Sequence, residues 1–388
     1  MSNVQVADGC LQGGKKMKTS KNGNLVKLVA FFILAVVLTC TVAYAAQDWQ
    51  SPTVSTPDDN GKTDDDNING DTDENTDGNK QEGIPVAKPV PEFLHYLTGL
   101  EITEAARYIK PICFTFSTDE PIYGLSSSYL VVEMPCENGK TRFLAFFDDP
   151  YTIGKIGSIS PTRGYISNVA GYFGGLCISL GNDSKVNYDS LPIKHGAINI
   201  SKNIGYHYTE YSSYIYTNGD LLSALIKNTK AETVRTDIPE APYVFSDYFT
   251  PITLEGKSAV SISIPHADGN STELIYSDSE KKYTLAKNGT VKTDLINDNS
   301  CKYDNAFILF ADSTTYETSE YTECVLNTID GGTGVYATGG VSIDIKWSVD
   351  ENGKMTFFNL SGQKLEVNRG TSFISFTKSS LTNSVIIK

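Results

Sequence analysis

Four histidines, two tryptophans and seven cysteines in 388 residues leave little material for a transition-metal centre or a zinc ribbon. Basic residues are also short. Lys and Arg number 32 against 46 Asp and Glu, a formal charge of −14 that suits a nucleic-acid partner poorly, because phosphate neutralisation needs a basic face. Long apolar runs are missing too, with one exception at the N-terminus. What is plentiful is tyrosine and phenylalanine, 22 and 17, enough aromatic mass for a packed core in two or three domains.

The charge is unevenly spread. Residues 1–47 carry net +4, residues 48–84 net −9 and residues 85–388 net −9. The exceptional apolar run lies between the first two blocks: Leu28 to Ala46 is uncharged, and Lys15, Lys16, Lys18, Lys21 and Lys27 precede it. That order places the N-terminus in the cytoplasm and everything after Ala46 outside. Three fates of the segment stay open. Cleavage after Ala45, at a small-x-small site, releases a secreted protein. Val37-Leu38-Thr39-Cys40 resembles a lipoprotein box with Cys40 lipidated, although Thr39 is unusual there. Uncleaved, the nineteen residues just span the roughly 30 Å hydrocarbon core as a signal anchor. Membrane attachment through residues 28–46 is the reading carried forward. Met17 offers an alternative start with a conventional short basic region.

Residues 47–92 read as an acidic, disordered linker, since they hold too little apolar surface to offset ordering. Two fragments within it, Asp65-x-Asn67-x-Asn69-Gly70 and Asp73-x-Asn75-x-Asp77-Gly78, imitate calcium loops. Both lack the closing acid, having Thr76 and Ile84 at the twelfth position. Solvated tether is the better account.

The rest reads as an α+β protein: an N-terminal mixed α/β domain with a central sheet over residues 93–250, then a C-terminal antiparallel β domain over 251–388. Strand-forming runs at 129–135 and 141–147 flank Asn138-Gly139, a strong two-residue hairpin signal. With that turn, Glu137 faces Lys140 and Glu133 faces Leu144, which makes Glu133 and Arg142 diagonal neighbours on one face. Asn218-Gly219 caps an amphipathic helix through Ile226, and 160–172 is a second helix interrupted by glycine. Beyond 250, short alternating runs at 258–264, 272–276, 281–286, 305–311, 334–347, 355–359, 365–367 and 373–377 predict strands.

No catalytic motif is complete. Asn138-Gly139-Lys140-Thr141 ends like a phosphate loop but sits in a hairpin. Gly332-x-Gly334 is followed by a strand where a dinucleotide fingerprint needs a helix. Ser279-x-x-Lys282 lies at a strand entry. Cys113, Cys136 and Cys177 sit in apolar runs and read as buried thiols. Cys301 and Cys324 flank the 305–311 strand and are the candidate disulfide. Tyr206, Tyr208, Tyr211, Tyr214 and Tyr216 form an aromatic cluster, either a stacking platform or one side of a half-buried sheet.

The ordered set Leu97-Thr98-Gly99-Leu100, Gly124-Leu125-Ser126, Glu137-x-Gly139-x-Thr141-Arg142-Phe143-Leu144-Ala145, Ile153-Gly154-x-Ile156-x-Ser158, Gly332-x-Gly334-x-Tyr336 and Ile343-x-Ile345-x-Trp347 resembles the YerB-like envelope lipoproteins of Gram-positive bacteria, a family of unknown function. The resemblance covers about residues 93–380. It implies two domains and an extracytoplasmic home, and no activity or cofactor. Where the family pattern carries two arginines, this chain has Gly157 and Ser160; its Pro-Gln and His positions are Ile122-Tyr123 and Ile178. Arg163 is a candidate replacement for one lost guanidinium.

Glu133, Glu137, Arg142, Ser158 and Arg163 are therefore the candidate ligand-binding residues. The favoured function is a non-catalytic envelope module that binds a cell-wall polymer or a partner protein. The alternative is an envelope hydrolase with Glu133 or Glu137 as acid/base and Arg142 orienting an anionic substrate. No metal, cofactor or nucleic acid enters either reading.

Overall fold

The computed structural model describes residues 88–181, 197–210, 213–267 and 269–388. The segment 28–46, Cys40, the calcium-like fragments and Tyr211 lie outside them. Among the described residues no helix is long and apolar enough to cross a membrane.

Strands dominate. In chain order they are β1 (Ile112–Ser117), β2 (Leu130–Pro135), β3 (Thr141–Phe147), β4 (Ile156–Ile159), β5 (Leu176–Ser179), β6 (Tyr208–Glu210), β7 (Tyr214–Thr217), β8 (Ser261–Ala267), β9 (Asn270–Ser277), β10 (Lys282–Lys287), β11 (Asn305–Ala311), β12 (Ser313–Glu317), β13 (Thr322–Leu326), β14 (Gly332–Thr338), β15 (Val341–Val349), β16 (Met355–Asn359) and β17 (Ser372–Lys378), with shorter bridging strands between some of them. The α-helices among the described residues are α1 (Gly164–Tyr172) and α2 (Gly219–Thr229). The mixed reading of the sequence thus holds in a strand-heavy form.

Residues 85–388 form one compact unit. One large sheet runs through it in the order β15, β14, β11, β17, β2, β3, β1, β4, β7, β6, with β16 on β15 and β5 beside β1. The last long strand of the chain is in its middle: β17 pairs in parallel with β2 and with β11. The C-terminal part is therefore not wholly antiparallel, as its alternating runs had suggested. A parallel strand inserted between two others is covered on both faces, and β17 is accordingly buried from Ser372 to Thr377.

Side chains alternate to two clusters. Val132, Met134, Leu144, Phe146, Phe307, Ile374 and Trp347 point to one face and meet Tyr165, Ile166 and Val169 of α1. Val131, Phe143, Ala145, Ile308 and Phe373 point to the other and meet Ile262, Ile264, Leu274 and Leu285 of a second sheet built on β8, β9 and β10. This alternation settles the cysteines. Cys301 is buried in the second cluster and Cys324 in the first, on opposite faces, and both are free thiols. The expected disulfide between them does not form, because a sheet lies between the two sulfurs. Burial pushes the Cys301 thiol up to about 12.

Candidate functional site

The β2–β3 hairpin decides where the candidate residues point. Asn138 and Gly139 take the two positive-φ turn positions, as the sequence predicted, at +51° and +71°. Next to the turn, however, both Cys136 and Glu137 oppose Lys140: Cys136 N donates to the Lys140 carbonyl at 2.8 Å and Lys140 N to the Glu137 carbonyl at 2.9 Å. That extra residue is a β-bulge. It shifts the register by one, so Glu133 pairs with Phe143 and Met134 with Arg142. A one-residue slip exchanges the faces of a strand. Glu133 and Arg142 therefore stand on opposite sides of the sheet, and the expected diagonal pair does not exist.

On the second-sheet side, Glu133 is fully buried. Its Oε1 accepts from Thr141 Oγ1 (2.8 Å), Thr272 Oγ1 (2.7 Å) and Lys287 Nζ (2.8 Å). Its Oε2 accepts from Ser375 Oγ at 3.1 Å and lies 3.2 Å from His266 Nε2. Burial alone would raise this carboxyl, but the Lys287 ammonium and the His266 imidazole overcome it and hold the group well below the ordinary carboxylate range. Lys287 and His266 come from β10 and β8, 154 and 133 positions along the chain. Their role was invisible in the sequence, where each stands alone in a strand.

On the α1 side, charges alternate in a row. Arg142 bonds the Glu137 carboxylate and the Pro161 carbonyl. Arg163 Nη2 donates to the other Glu137 oxygen at 2.9 Å, and Arg163 Nε lies 3.2 Å from Glu323 Oε1. Burial pushes the Glu137 carboxyl up, yet the Arg142 and Arg163 guanidiniums outweigh it and lower it. Arg163 is only 2% exposed. It joins the hairpin to Glu323 of β13.

A cleft of about 260 Å³ opens beside this row. Asp119, Glu120, Glu137, Lys140, Arg142, Ser160 and Ser213 line it, with apolar wall from Ile159 and Leu180. Of the five candidates, Glu137 and Arg142 reach the cleft, and Ser158 sits behind it, its hydroxyl donating to Glu120. Glu133 and Arg163 are not among the lining residues. Sequence reasoning missed Glu120 and Asp119, which stand in an ordinary strand-to-loop passage with no motif to mark them, and met Ser160 only as a position where the resemblance has arginine.

The positions that depart from the resemblance gather nearby. Tyr123 pairs with Gly157, and Gly157 with Tyr216 of β7. A Cβ at Gly157 would lie 2.7 Å from both the Ile215 carbonyl and the Tyr216 ring, at a φ of +143° that favours glycine. An arginine has no room there. Tyr216 is buried, and the Lys155 ammonium sits 3.8 Å from the Tyr123 ring centre and 4.1 Å from that of Tyr216, with Glu210 at 2.6 Å. The described tyrosines of this hairpin thus include a cation-filled box rather than a row of bare stacking faces.

Asp294 is also absent from the sequence reading. It is buried and accepts from Gly124 N, Ser126 N (both 2.9 Å) and Ser126 Oγ (2.7 Å), holding the Gly124-Leu125-Ser126 turn.

Fold and site together define a strand-dominated protein built on two principal sheets, with a small polar cleft and ionic clusters tying its halves. The family described as "Protein of unknown function (DUF3048)" matches through its N-terminal domain at residues 97–232 and its C-terminal domain at residues 262–374. The chain belongs to this YerB-like family. A similar solved structure is the YerB protein from Bacillus subtilis, with 19% identity, a TM-score of 0.65, and coverage of 76% of this chain and 100% of that one. At that identity the likeness is one of fold. No curated protein matches the sequence.

Proposed function

We propose that this protein is a non-catalytic binding module of the bacterial cell envelope, held at the outer membrane face by its N-terminal segment and taking a unit of cell-wall polymer in the Glu120–Ser160 cleft. One observation carries the reading. The two carboxylates that the hydrolase alternative offers as acid/base, Glu133 and Glu137, stand on opposite sides of one sheet and are each neutralised by fixed cations. They cannot flank a single scissile bond, and a carboxyl held well below its ordinary value is a poor proton donor near neutral pH. The cleft meanwhile keeps Glu120 without a cation partner among the described residues and Ser160 Oγ without a hydrogen-bond partner, which suits binding. The leader, with its lysines ahead of residues 28–46, supports the outer-face location.

The test is sedimentation of the full chain, in detergent, with purified Gram-positive cell-wall sacculi. Retention is expected, together with its loss in Ser213→Trp, which fills the cleft mouth from an exposed position without changing thermal melting. Equal retention of the variant rules out this cleft. Protease shaving of intact cells checks the location: digestion of residues 93–388 is expected, and full protection overturns it.

A further inference from the structure

We propose that the cleft receives a primary ammonium group, presented by an amine-bearing unit of the wall polymer. The inference rests on the binding reading above and adds the chemistry of the ligand. It starts from the charges of the lining. Asp119, Glu120 and Glu137 face Lys140 and Arg142, so carboxylates outnumber cations by one. The distribution sharpens that excess. Arg142 spends its guanidinium on Glu137 and on the Pro161 carbonyl. Glu137 in turn is covered on both oxygens by Arg142 and Arg163. Lys140 stands on the rim, 60% exposed, 3.4 Å from Asp119.

Glu120 remains. It is half-buried in the cleft wall, its Oε2 accepts the Ser158 hydroxyl, and among the described residues no cation pairs with it. A carboxylate in a partly desolvated wall favours a positive partner. The second observation is Ser160. It lines the same cleft, is 7% exposed, and its Oγ has no hydrogen-bond partner. A buried hydroxyl left unpaired costs free energy, and Ser160 Oγ, which has almost no accessible surface as it stands, recovers it when the side chain turns toward a donor in the cleft.

These two groups choose among ligands. Among the described residues an anion finds no uncommitted cation in the wall. A metal ion needs several convergent ligands, and among the described residues no three His, Cys, Asp or Glu side chains form such a group. An ammonium group brings three donors, which one carboxylate and neighbouring hydroxyl oxygens accept. The volume, below the roughly 300 Å³ at which drug-sized pockets begin, fits one sugar ring or one side chain rather than a length of polymer. In a cell-wall polymer the amine comes from a glucosamine unit without its acetyl group or from the amino side chain of a peptide branch.

The experiment is calorimetric titration of the full chain in detergent at pH 7 with four probes: glucosamine tetramer, its N-acetylated counterpart, a lysine-containing tripeptide, and the same peptide acetylated on Nζ. One free-amine probe is expected to bind at least tenfold tighter than its acetylated counterpart, and that probe identifies the source. Glu120→Gln is expected to abolish the preference, and Ser160→Ala to weaken binding severalfold, both with unchanged melting. Equal affinity for free and acetylated forms, or a preference that survives in Glu120→Gln, overturns the ammonium inference and leaves the cleft as a binding site. No binding by any probe also overturns it; sacculus retention then decides separately whether the wider reading stands.

Discussion

Glu133 carries its charge at no solvent exposure, and the consequence is opposite to that of a surface ion pair. An exposed pair on a hairpin contributes roughly 0–1 kcal/mol. Here Lys287 would be left in the interior without a counter-charge, so Glu133→Ala is expected to lower the unfolding free energy by about 3–5 kcal/mol in urea titration. Replacing both partners together, as Glu133→Leu with Lys287→Met, is expected to cost clearly less than Glu133→Ala alone. A double variant at least as damaging would mean that shape, not charge, holds this contact.

The same group predicts a pH dependence. Its carboxyl is lowered in the folded protein, so around the ordinary glutamate value of about 4.3 the unfolded chain binds more protons than the folded one, and stability rises with pH there. The contribution is fully present above that value and is lost as pH falls below it. Glu137 acts in the same sense, with solvent screening reducing its share. Urea midpoints measured from pH 7 down to pH 3 should therefore fall, with a shallower fall in Glu133→Gln. The sequence held Glu133, Glu137 and Arg142 in view, but their partners lie 154, 26 and 5 positions away and only folding joins them.

Elements were legible where local chemistry suffices. The α2 helix begins where its signal placed it: the Asn218 side chain accepts from Leu221 N at 2.9 Å. Asn218→Ala is expected to cost about 1 kcal/mol in chemical denaturation, with Asn218→Asp recovering most of it. The strands at 305–311 and 355–359 match residue for residue, and the 334–347 run resolves into β14 and β15 around Gly339-Gly340. The hairpin turn was legible too, while its register was not. Asn138-Gly139 announces a two-residue turn, but the bulge beside it is set by contacts from elsewhere: Asn138 N donates to the Thr322 carbonyl at 2.7 Å, and Thr322 N to Asn138 Oδ1 at 3.0 Å. Those bonds hold Glu137 beside Glu323 and turn it toward Arg142 and Arg163.

Across the whole molecule, the position of β17 matters most. It joins β2 of the N-terminal half to β11 of the C-terminal half, so neither half closes its sheet without it. A chain ending at residue 371 is expected to lose cooperative unfolding throughout, including the 93–250 part, as read by near-ultraviolet circular dichroism and by protease resistance. A retained, protected 93–250 fragment would show that this half folds alone. The long sequence separation of these pairings also implies slow folding, because loop closure precedes its reward.

The sequence by itself determined the alternating apolar pattern, the helix cap and the turn, since each depends on neighbours within a few residues. It also carried the family, through short motifs in order. Tertiary structure alone decided which face each candidate side chain occupies, which carboxylates are neutralised, and that Glu120 and Ser160 share a cleft. The physical reason is the two-residue period of a strand: one inserted residue, held by a distant hairpin, exchanges the faces of everything that follows, and no local signal records it.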